Sequence, residues 1–273
     1  MKMLKKKNTD NAVVGVVTAI LLIGLIVAVI SLVQTMYIPK IMEQREADHM
    51  DKVAEQFTYL TSVIDGQAVD QAKNMPIATS ITLGSKELPY MLSIKAFGTL
   101  EILDNSRTIN ITFINGTFKT FPIGVITYSS ANGYFLDQSY TYEAGAMIVS
   151  QSEGDLMMIR PIFIVDKFNI SFDVVNISSL GHKTIASGFG TYPIQTEFYN
   201  ISTNVTFKNV KSMMITTPFS NAWYIFIKSS LIGIPFTPEN GTGYLKLNFP
   251  SPPTIIFKII DIRAQIGPGW VEK

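Results

Sequence analysis

The sequence contains no cysteine, only two histidines and few charged residues. Without cysteine the chain has no disulfide, no thiolate metal site and no cysteine nucleophile. His49 lies in a charged stretch and His182 follows Gly181 in a stretch typical of a turn, so no histidine-based metal cluster is indicated. Charged residues make up 16% of the 273 residues, below the roughly 25% usual in soluble domains.

Basic clusters are missing beyond the N-terminal region, and phosphate-binding loops are missing from the sequence. The net charge is +1, and from Gln67 onward the two signs are mixed, so no nucleic-acid partner is expected. Neither a glycine-rich nucleotide loop nor a nucleophile elbow occurs. Glu153 and Asp155 flank Gly154 in a turn, where solvation is the ordinary interpretation and a weak cation site the alternative. We therefore expect no enzyme and no cofactor.

The N-terminal region holds the one long apolar run. Residues 12–33 carry no charge over 22 positions, which as a helix is about 33 Å, enough to cross the roughly 30 Å hydrocarbon core of a bilayer. Lysines precede the run at Lys2, Lys5, Lys6 and Lys7. By the positive-inside rule the N-terminus is then cytoplasmic, and everything beyond about Met36 lies outside the cell.

Two stretches carry a family resemblance. KKKNT followed by DNAVVGVVTAILLIGLIVAVI is similar to the class III leader of archaeal type IV pilins, and YSSANGYFLDQSYTYEAGAMIVSQSEGDLM resembles a segment of large pilin-like archaeal surface proteins. The resemblance implies a leader of residues 1–9 that a prepilin peptidase-like enzyme removes between Thr9 and Asp10. It also implies an N-terminal helix that assembles with its copies and carries an extracellular β domain.

Beyond the span, the pattern predicts a second helical stretch. The predicted division is a membrane or pilin-core helix over 10–36, an amphipathic stalk helix over 37–66 and a β-rich head over 67–273, with Asp65-Gly66 ending the helix. Pro39 either kinks this rod or marks a restart. An apolar stripe on the second stretch either docks on the chain's own head or contacts identical helices; its members are Met50, Val53, Phe57, Leu60 and Ile64. An undocked rod would be a stalk on the order of 80 Å long.

Within the span, two pairs of small residues have the spacing that lets helices approach closely. Gly15 and Ala19 form one pair, and Gly24 and Ala28 form the other. The pairs face roughly opposite ways, because they lie nine residues apart at about 100° per residue. A filament core could use both faces; the alternative is that Gly and Ala are simply common in membrane helices.

After Gly66 the helical period gives way to short alternating stretches. TINITFINGTFKTF predicts a hairpin with a two-residue Asn115-Gly116 turn. FNISFDV predicts Phe168, Ile170 and Phe172 inward, and NISTNVTFK predicts Ile201, Val205 and Phe207 inward; TIIFKIIDIRAQI predicts a long strand. A helix capped by Ser220 is expected around Trp223, with a strand as the alternative. The predicted fold class is α+β: a long N-terminal membrane and stalk helix followed by a mainly antiparallel, sandwich-like β head.

Seven N-x-[ST] sequons lie beyond the span, and we expect several to be glycosylated: Asn110, Asn115, Asn169, Asn176, Asn200, Asn204 and Asn240. The alternative is that polar strand faces happen to spell the motif. A group of aromatic residues is expected to pack in the core, with a carbohydrate platform as the alternative: Tyr128, Tyr134, Phe135, Tyr140 and Tyr142.

The sequence favours a structural or adhesive subunit on an archaeal cell surface. It would sit in the membrane as a single-pass protein or in a surface filament. Its partners would be lipid, its own copies through the N-terminal helix, and the processing peptidase. The competing interpretation is a single-pass anchor that does not polymerise and whose head binds a glycan, an S-layer component or a protein.

Overall fold

The computed structural model describes residues 8–85 and 96–268, with side chains from Val13 onward. Most of the predicted leader, residues 1–7, lies outside this range. Thr9 and Asp10 fall in the first turn of the N-terminal helix, and their side chains are outside the described part as well.

A single long helical rod opens the described chain. It consists of α1 (Asn8–Leu32), a π-helical turn (Val33–Tyr37) and α2 (Ile38–Asp70). Pro39 explains the π turn. It has no N–H to donate to the Thr35 carbonyl, and its ring would clash with that carbonyl in a regular α-helix. The Ile38 N–H instead donates to the Val33 carbonyl, five residues back. The helix therefore continues past Pro39 without ending or restarting there, because one wide turn accommodates the proline.

The predicted end of this helix at Asp65-Gly66 was wrong. α2 continues to Asp70, and Gln71 ends it in the left-handed conformation with φ 53°. The reason is tertiary: Gln67 and Ala68 are buried, and the Gln67 Nε2 donates to the carbonyl of Thr196 at 2.7 Å. Contact with the head outweighs the helix-weakening effect of one glycine.

The rest of the described chain is mostly β structure. Its strands are β1 (Ile77–Thr82), β2 (Phe97–Phe113), β3 (Phe118–Ala131), β4 (Gln138–Glu143), β5 (Ala146–Gln151), β6 (Gly154–Ile159), β7 (Ile162–Asp166), β8 (Asn169–Ser179), β9 (Ile185–Gly188), β10 (Thr191–Phe207), β11 (Val210–Thr216), β12 (Thr237–Gly241), β13 (Tyr244–Asn248) and β14 (Thr254–Ile266). A short helix, α3 (Ser220–Ser230), follows β11. The α+β fold class and the helix around Trp223 are thus confirmed. The predicted Ser220 cap was wrong, because Phe219 is the residue before the helix and the Ser220 hydroxyl donates to the Gly241 carbonyl.

The strands form two sheets. The first has the order β1-β10-β14-β8-β7, and the second has the order β12-β13-β11-β2-β3-β4-β5-β6 with β9 paired to β2. Among the described strands, these pairings are antiparallel except that of β8 with β14, which is parallel. The long C-terminal strand predicted from TIIFKIIDIRAQI is β14, and it lies at the centre of the first sheet.

Two cores fill this architecture. The helix core joins the α2 stripe to both sheets and includes Phe57, Tyr128 and Ile262. The distal core joins the two sheets to α3 and includes Phe172, Trp223 and Phe257. α2 ends level with Thr196, whereas β10 continues to Phe207, about 35 Å further at 3.3 Å per residue. The distal core is therefore at the end of the head away from α1.

Most of the predicted inward residues on the strands are buried, with two exceptions. Ile170, Phe172 and Phe207 are buried as expected, and Ile201 is half-buried. Phe168 precedes β8 and is 63% exposed. Val205 has the inward parity of its partner Phe257 but is 40% exposed, because β1 pairs with β10 only over residues 191–196 and leaves this half of β10 at the sheet edge.

The predicted hairpin between β2 and β3 is confirmed, but its turn is longer than two residues. The Gly116 N–H donates to the Phe113 carbonyl, and the Phe113 N–H donates to the Thr117 carbonyl. Gly116 has φ +83° and Asn115 does not have a positive φ. This is a three-residue loop in which a turn is followed by a left-handed glycine.

Candidate membrane and assembly surface

No described residue of the head packs against the apolar segment of the rod. From Val13 to Leu32 its large apolar side chains are each between 49% and 68% exposed. Among the described residues, one helix is long and apolar enough to cross a membrane, and this segment is its apolar part. An aqueous exposure of this extent is costly, since burying one Val, Leu or Ile side chain is worth about 1.5–3 kcal/mol. The segment is therefore suited to lipid or to other apolar helices.

The two predicted small-residue pairs lie on this exposed segment. Gly15, Ala19, Gly24 and Ala28 are all exposed, and no atom lies within 4 Å of where a Cβ on either glycine would be. The side of the rod beneath the head is marked by half-buried Val33 and Gln34, just before buried Ile38. Counting back at about 100° per residue puts Gly15 and Ala19 on that side and Gly24 and Ala28 roughly opposite it.

The α2 stripe packs on the chain's own head, which confirms the first of the two interpretations of that stripe. All five predicted residues, Met50, Val53, Phe57, Leu60 and Ile64, are at most 1% exposed. They belong to the helix core with residues of both sheets. The second helical stretch is thus part of the head and not a free stalk. The stalk length expected for an undocked rod therefore does not describe this protein.

Polar contacts fix α2 against the head at several levels. Buried Glu46 accepts hydrogen bonds from the backbone N–H groups of Gly133, Tyr134 and Phe135 at 3.1, 2.7 and 2.7 Å. Further along, the Tyr142 hydroxyl donates to Asp65 at 2.8 Å. Burial raises the pKa of the Asp65 carboxyl, and the Tyr142 hydrogen bond opposes that shift. These contacts hold the helix in one register on the sheets.

Three members of the aromatic group lie in the helix core, as the packing interpretation predicts. Tyr128 and Tyr142 are fully buried and Tyr140 is 4% exposed. The Tyr128 hydroxyl donates to the Leu83 carbonyl at 2.8 Å and lies 3.3 Å from the His49 Nε2. Tyr134 and Phe135 are half-buried in the loop that contacts Glu46. A flat aromatic platform for sugars is therefore absent from this group.

The junction between the two cores holds a buried carboxylate that the sequence pattern did not indicate. Glu143 is 1% exposed and accepts hydrogen bonds from the Trp223 Nε1 at 2.8 Å and the Arg107 Nε at 2.9 Å. Burial raises its pKa, while hydrogen bonds from Thr217 and the charge of Arg107 oppose the shift. β2, β4 and α3 bring these side chains together, and no local spacing relates them.

The residues considered for catalysis or metal binding do not come together. His49 is buried against Tyr128, whereas His182 is exposed in a bend. Glu153 is exposed in the turn between β5 and β6. Within residues 13–85 and 96–268, no three His, Asp or Glu side chains are placed to hold a metal ion. Two open grooves of about 550 and 540 Å³ run beside α2, one lined by Gln56 and Tyr59 and the other by Arg45 and His49.

Comparison with known proteins bears on this arrangement. A family model described as a family of unknown function, DUF7289, matches residues 11–232. The chain belongs to this family. The match includes the apolar segment, α2 and every element through α3, whereas β12, β13 and β14 follow it. Searches of curated proteins and of solved structures found no match.

The predicted sequons of this DUF7289 member differ in accessibility. Asn115, Asn169, Asn204 and Asn240 are exposed, whereas Asn110, Asn176 and Asn200 are half-buried. Asn240 is in β12, and the turn that follows it is formed by Thr242 and Gly243, although an Asn-Gly pair such as Asn240-Gly241 is typical of a turn.

Proposed function

We propose that the protein is an archaeal pilin-like cell-surface protein that anchors, and assembles with its copies, through residues 13–37. The observation that carries the proposal is an exposed apolar helical segment continuous with a helix built into a β head. Lys2, Lys5, Lys6 and Lys7 would keep the N-terminus in the cytoplasm and place the head outside. The role would be structural or adhesive.

The docking of α2 on the head limits the helix surfaces through which copies would contact each other. Because the head covers the stripe from Met50 to Ile64, contacts between copies would be confined to the exposed segment and to the solvent side of α2. Two parallel copies in close contact cannot both place their heads between their helices. The Gly24 and Ala28 side, opposite the head, is then the favoured side for a first neighbour.

The second candidate function is a single-pass anchor that does not polymerise and presents its head to a ligand. The same docking favours it, because a stripe that copies would otherwise share is used within one chain. Removal of the leader before Asp10 would belong to the pilin route, since cleavage on the cytoplasmic side frees the helix to leave the bilayer. An intact N-terminus would belong to the plain anchor.

Cysteine cross-linking on the full chain in its native membrane tests the proposal, because the chain has no cysteine of its own. Gly24→Cys and Ala28→Cys should form disulfide-linked dimers on mild oxidation. Ala19→Cys is the matched variant on the head side, and it should cross-link only if each helix contacts more than one neighbour. N-terminal mass spectrometry of the same material reports the processing.

The outcomes separate the two functions. Cross-links at both faces together with a mature start at Asp10 support a pilin-like assembly. A protein with its original N-terminus and no cross-link at position 19, 24 or 28 is a plain anchor, and the assembly proposal is then wrong. Recovery of the intact chain from the cytosol without detergent would reject both.

A further inference from the structure

We infer that N-linked glycans occupy Asn115, Asn169, Asn204 and Asn240 and that Asn110, Asn176 and Asn200 stay unmodified. This inference rests on the proposed function to the extent that the head must be outside the cell. All seven sites carry the same motif, and the structure divides them by the exposure of each asparagine. A glycan attached to an asparagine must extend into solvent, which only four of the sites allow.

Asn176 is closed to modification because both ends of its amide are used inside the head. Its Oδ1 accepts the Gly124 N–H at 2.9 Å, and its Nδ2 donates to Asp261 at 2.8 Å. The approach is tight, since a Cβ on Gly124 would lie 1.9 Å from the Ile177 carbonyl oxygen. A sugar on the Asn176 Nδ2 would disrupt its hydrogen bond to Asp261 and would have to fit where β3 and β8 lie in close contact.

Asn110 and Asn200 are closed for a related reason. Asn110 lies on an inner strand of its sheet between Met214 and Thr120, and Asn200 lies on β10 opposite Asp261, beyond the end of β1. Both Oδ1 atoms are shielded from solvent and have no hydrogen-bond partner. Each residue is half-buried, and its neighbours cover the oxygen end of its amide.

Asn115 is one of the exposed sites. It lies in the β2–β3 loop, where its Oδ1 accepts both the N–H and the hydroxyl of Thr117, at 3.1 and 2.7 Å. The sequon hydroxyl is thereby held against the acceptor end of the amide, and the Nδ2 is left toward solvent. Asn240, on the exposed edge strand β12, is likewise exposed.

Asn169 and Asn204 share one face of the first sheet. The hydroxyl residues of their sequons, Ser171 and Thr206, are the cross-strand neighbours of Ile256 on either side. Ile256 is 38% exposed there, and Ile164, next to Ser171 on β7, is 61% exposed. Sugars on the two asparagines would extend over this apolar strip.

The distal tip of the head has the same combination of an open sequon and exposed apolar side chains. Backbone hydrogen bonds join Ile114 to Asn209, Val210 to Pro253 and Thr254 to Phe168. At this tip Ile114 is 57%, Phe118 70% and Phe168 63% exposed. Ile114 and Phe118 flank the Asn115 sequon, and Phe168 precedes Asn169. A large exposed apolar patch usually marks a contact surface. Sugars attached at Asn115 and Asn169 would cover these side chains with their apolar ring faces.

The modification is a group transfer with a defined donor class. The Nδ2 of the asparagine attacks the anomeric carbon of an oligosaccharide carried on a lipid phosphate. The new bond joins nitrogen to that carbon, the bond from the carbon to the phosphate oxygen breaks, and the lipid phosphate leaves with the electron pair. The amide loses one proton to a base of the transferring enzyme. No redox change occurs.

Sequon variants of the full chain, expressed in the native host, test the inference. Thr117→Ala, Ser171→Ala, Thr206→Ala and Thr242→Ala keep each asparagine but remove its sequon, and each should lower the intact mass by one glycan. Thr112→Ala, Ser178→Ala and Ser202→Ala are the matched controls and should leave the glycan mass unchanged. A glycan on the Asn176 or Asn200 peptide, or a bare Asn115 peptide, would overturn the assignment.

A second measurement separates this inference from the proposed function. A membrane-impermeant amine reagent applied to whole cells labels head lysines such as Lys119 and Lys258 if the head is outside. A head that is labelled but bare refutes the glycan inference alone, and the apolar tip would then be a protein-binding surface. A head that is neither labelled nor glycosylated refutes both. The covering role predicts that Thr117→Ala increases binding of a hydrophobic fluorescent dye, and an unchanged signal contradicts it.

Discussion

Glu143 joins the two cores through side chains from three elements. Replacing it by Leu removes the acceptor of the buried Trp223 N–H and the carboxylate partner of Arg107, whose side chain is partly exposed and also donates to the Ser106 carbonyl. A buried donor without its acceptor costs about 1–3 kcal/mol and a partly exposed ion pair contributes up to about 1 kcal/mol, so Glu143→Leu should lower the free energy of unfolding by about 1–4 kcal/mol. Glu143→Gln keeps an acceptor for Trp223 and should cost less. Urea unfolding of the detergent-solubilised chain measures both, and equal costs would contradict the account.

His49 should make the stability of the head depend on pH. Burial lowers its pKa below the ordinary 6.5, although a hydrogen bond to the Leu83 backbone opposes the shift. Because the unfolded chain takes up this proton more readily than the folded one, stability falls as the pH drops through 6.5 toward the folded pKa. His49→Gln removes that component. Thermal unfolding between pH 5 and 8 compares the two, and parallel profiles would show that His49 does not contribute.

At the residue scale, exposure depends on neighbours that are distant in sequence. Val205 has the predicted parity and yet is partly exposed, because β1 stops short of it. Asn176 and Asn169 begin the same Asn-Ile-Ser sequon, but it is Asn176 whose side chain accepts a hydrogen bond from the other sheet. Local alternation predicts the face on which a side chain lies, whereas the extent of its burial follows from what covers that face.

At the scale of the element, the π turn sets the rotation of the span relative to the head. Pro39→Ala restores an N–H that can bond to the Thr35 carbonyl, and we expect the turn at residues 33–37 to become regular α-helix. A regular α-helical turn takes about one residue fewer than the π turn, so the same residues wind further and rotate the span by about 100° relative to α2. In cysteine cross-linking, the positions that react should then shift around the helix. If the cross-linking pattern is the same in the original chain and in the Pro39→Ala variant, Pro39 is not the cause of the π turn.

The elements themselves were largely predictable. The α2 stripe, the β2–β3 hairpin and α3 follow from spacing that any isolated segment already shows. The helix end was mispredicted because Gln67 finds Thr196, a residue 129 positions away. The π turn was not predicted, because a proline after an apolar run is compatible with a kink, a restart or a wide turn.

At the scale of the whole molecule, α2 belongs to the head and the apolar segment does not. A chain that begins at Ile38 should be soluble without detergent and unfold cooperatively, since it retains the helix core. A chain that begins at Gln67 should not fold. It loses Val53, Phe57, Leu60 and Ile64, and each such loss costs about 2–5 kcal/mol against a net stability of about 5–15 kcal/mol. Circular dichroism and size-exclusion chromatography compare the two, and a folded shorter fragment would disprove the assignment.

The sequence by itself determined that the chain has a segment suited to lipid, an amphipathic helix after it and a β-rich remainder, because these depend on composition, length and period. Only the tertiary structure decided that the amphipathic stripe is covered by the chain's own sheets, that Glu143 joins the cores, and which sequons are open. The apolar stripe would fit a sister helix or the chain's own sheets equally well by its spacing. The choice between them depends on the shape and register of strands far along the chain, and that information appears only when the strands are assembled.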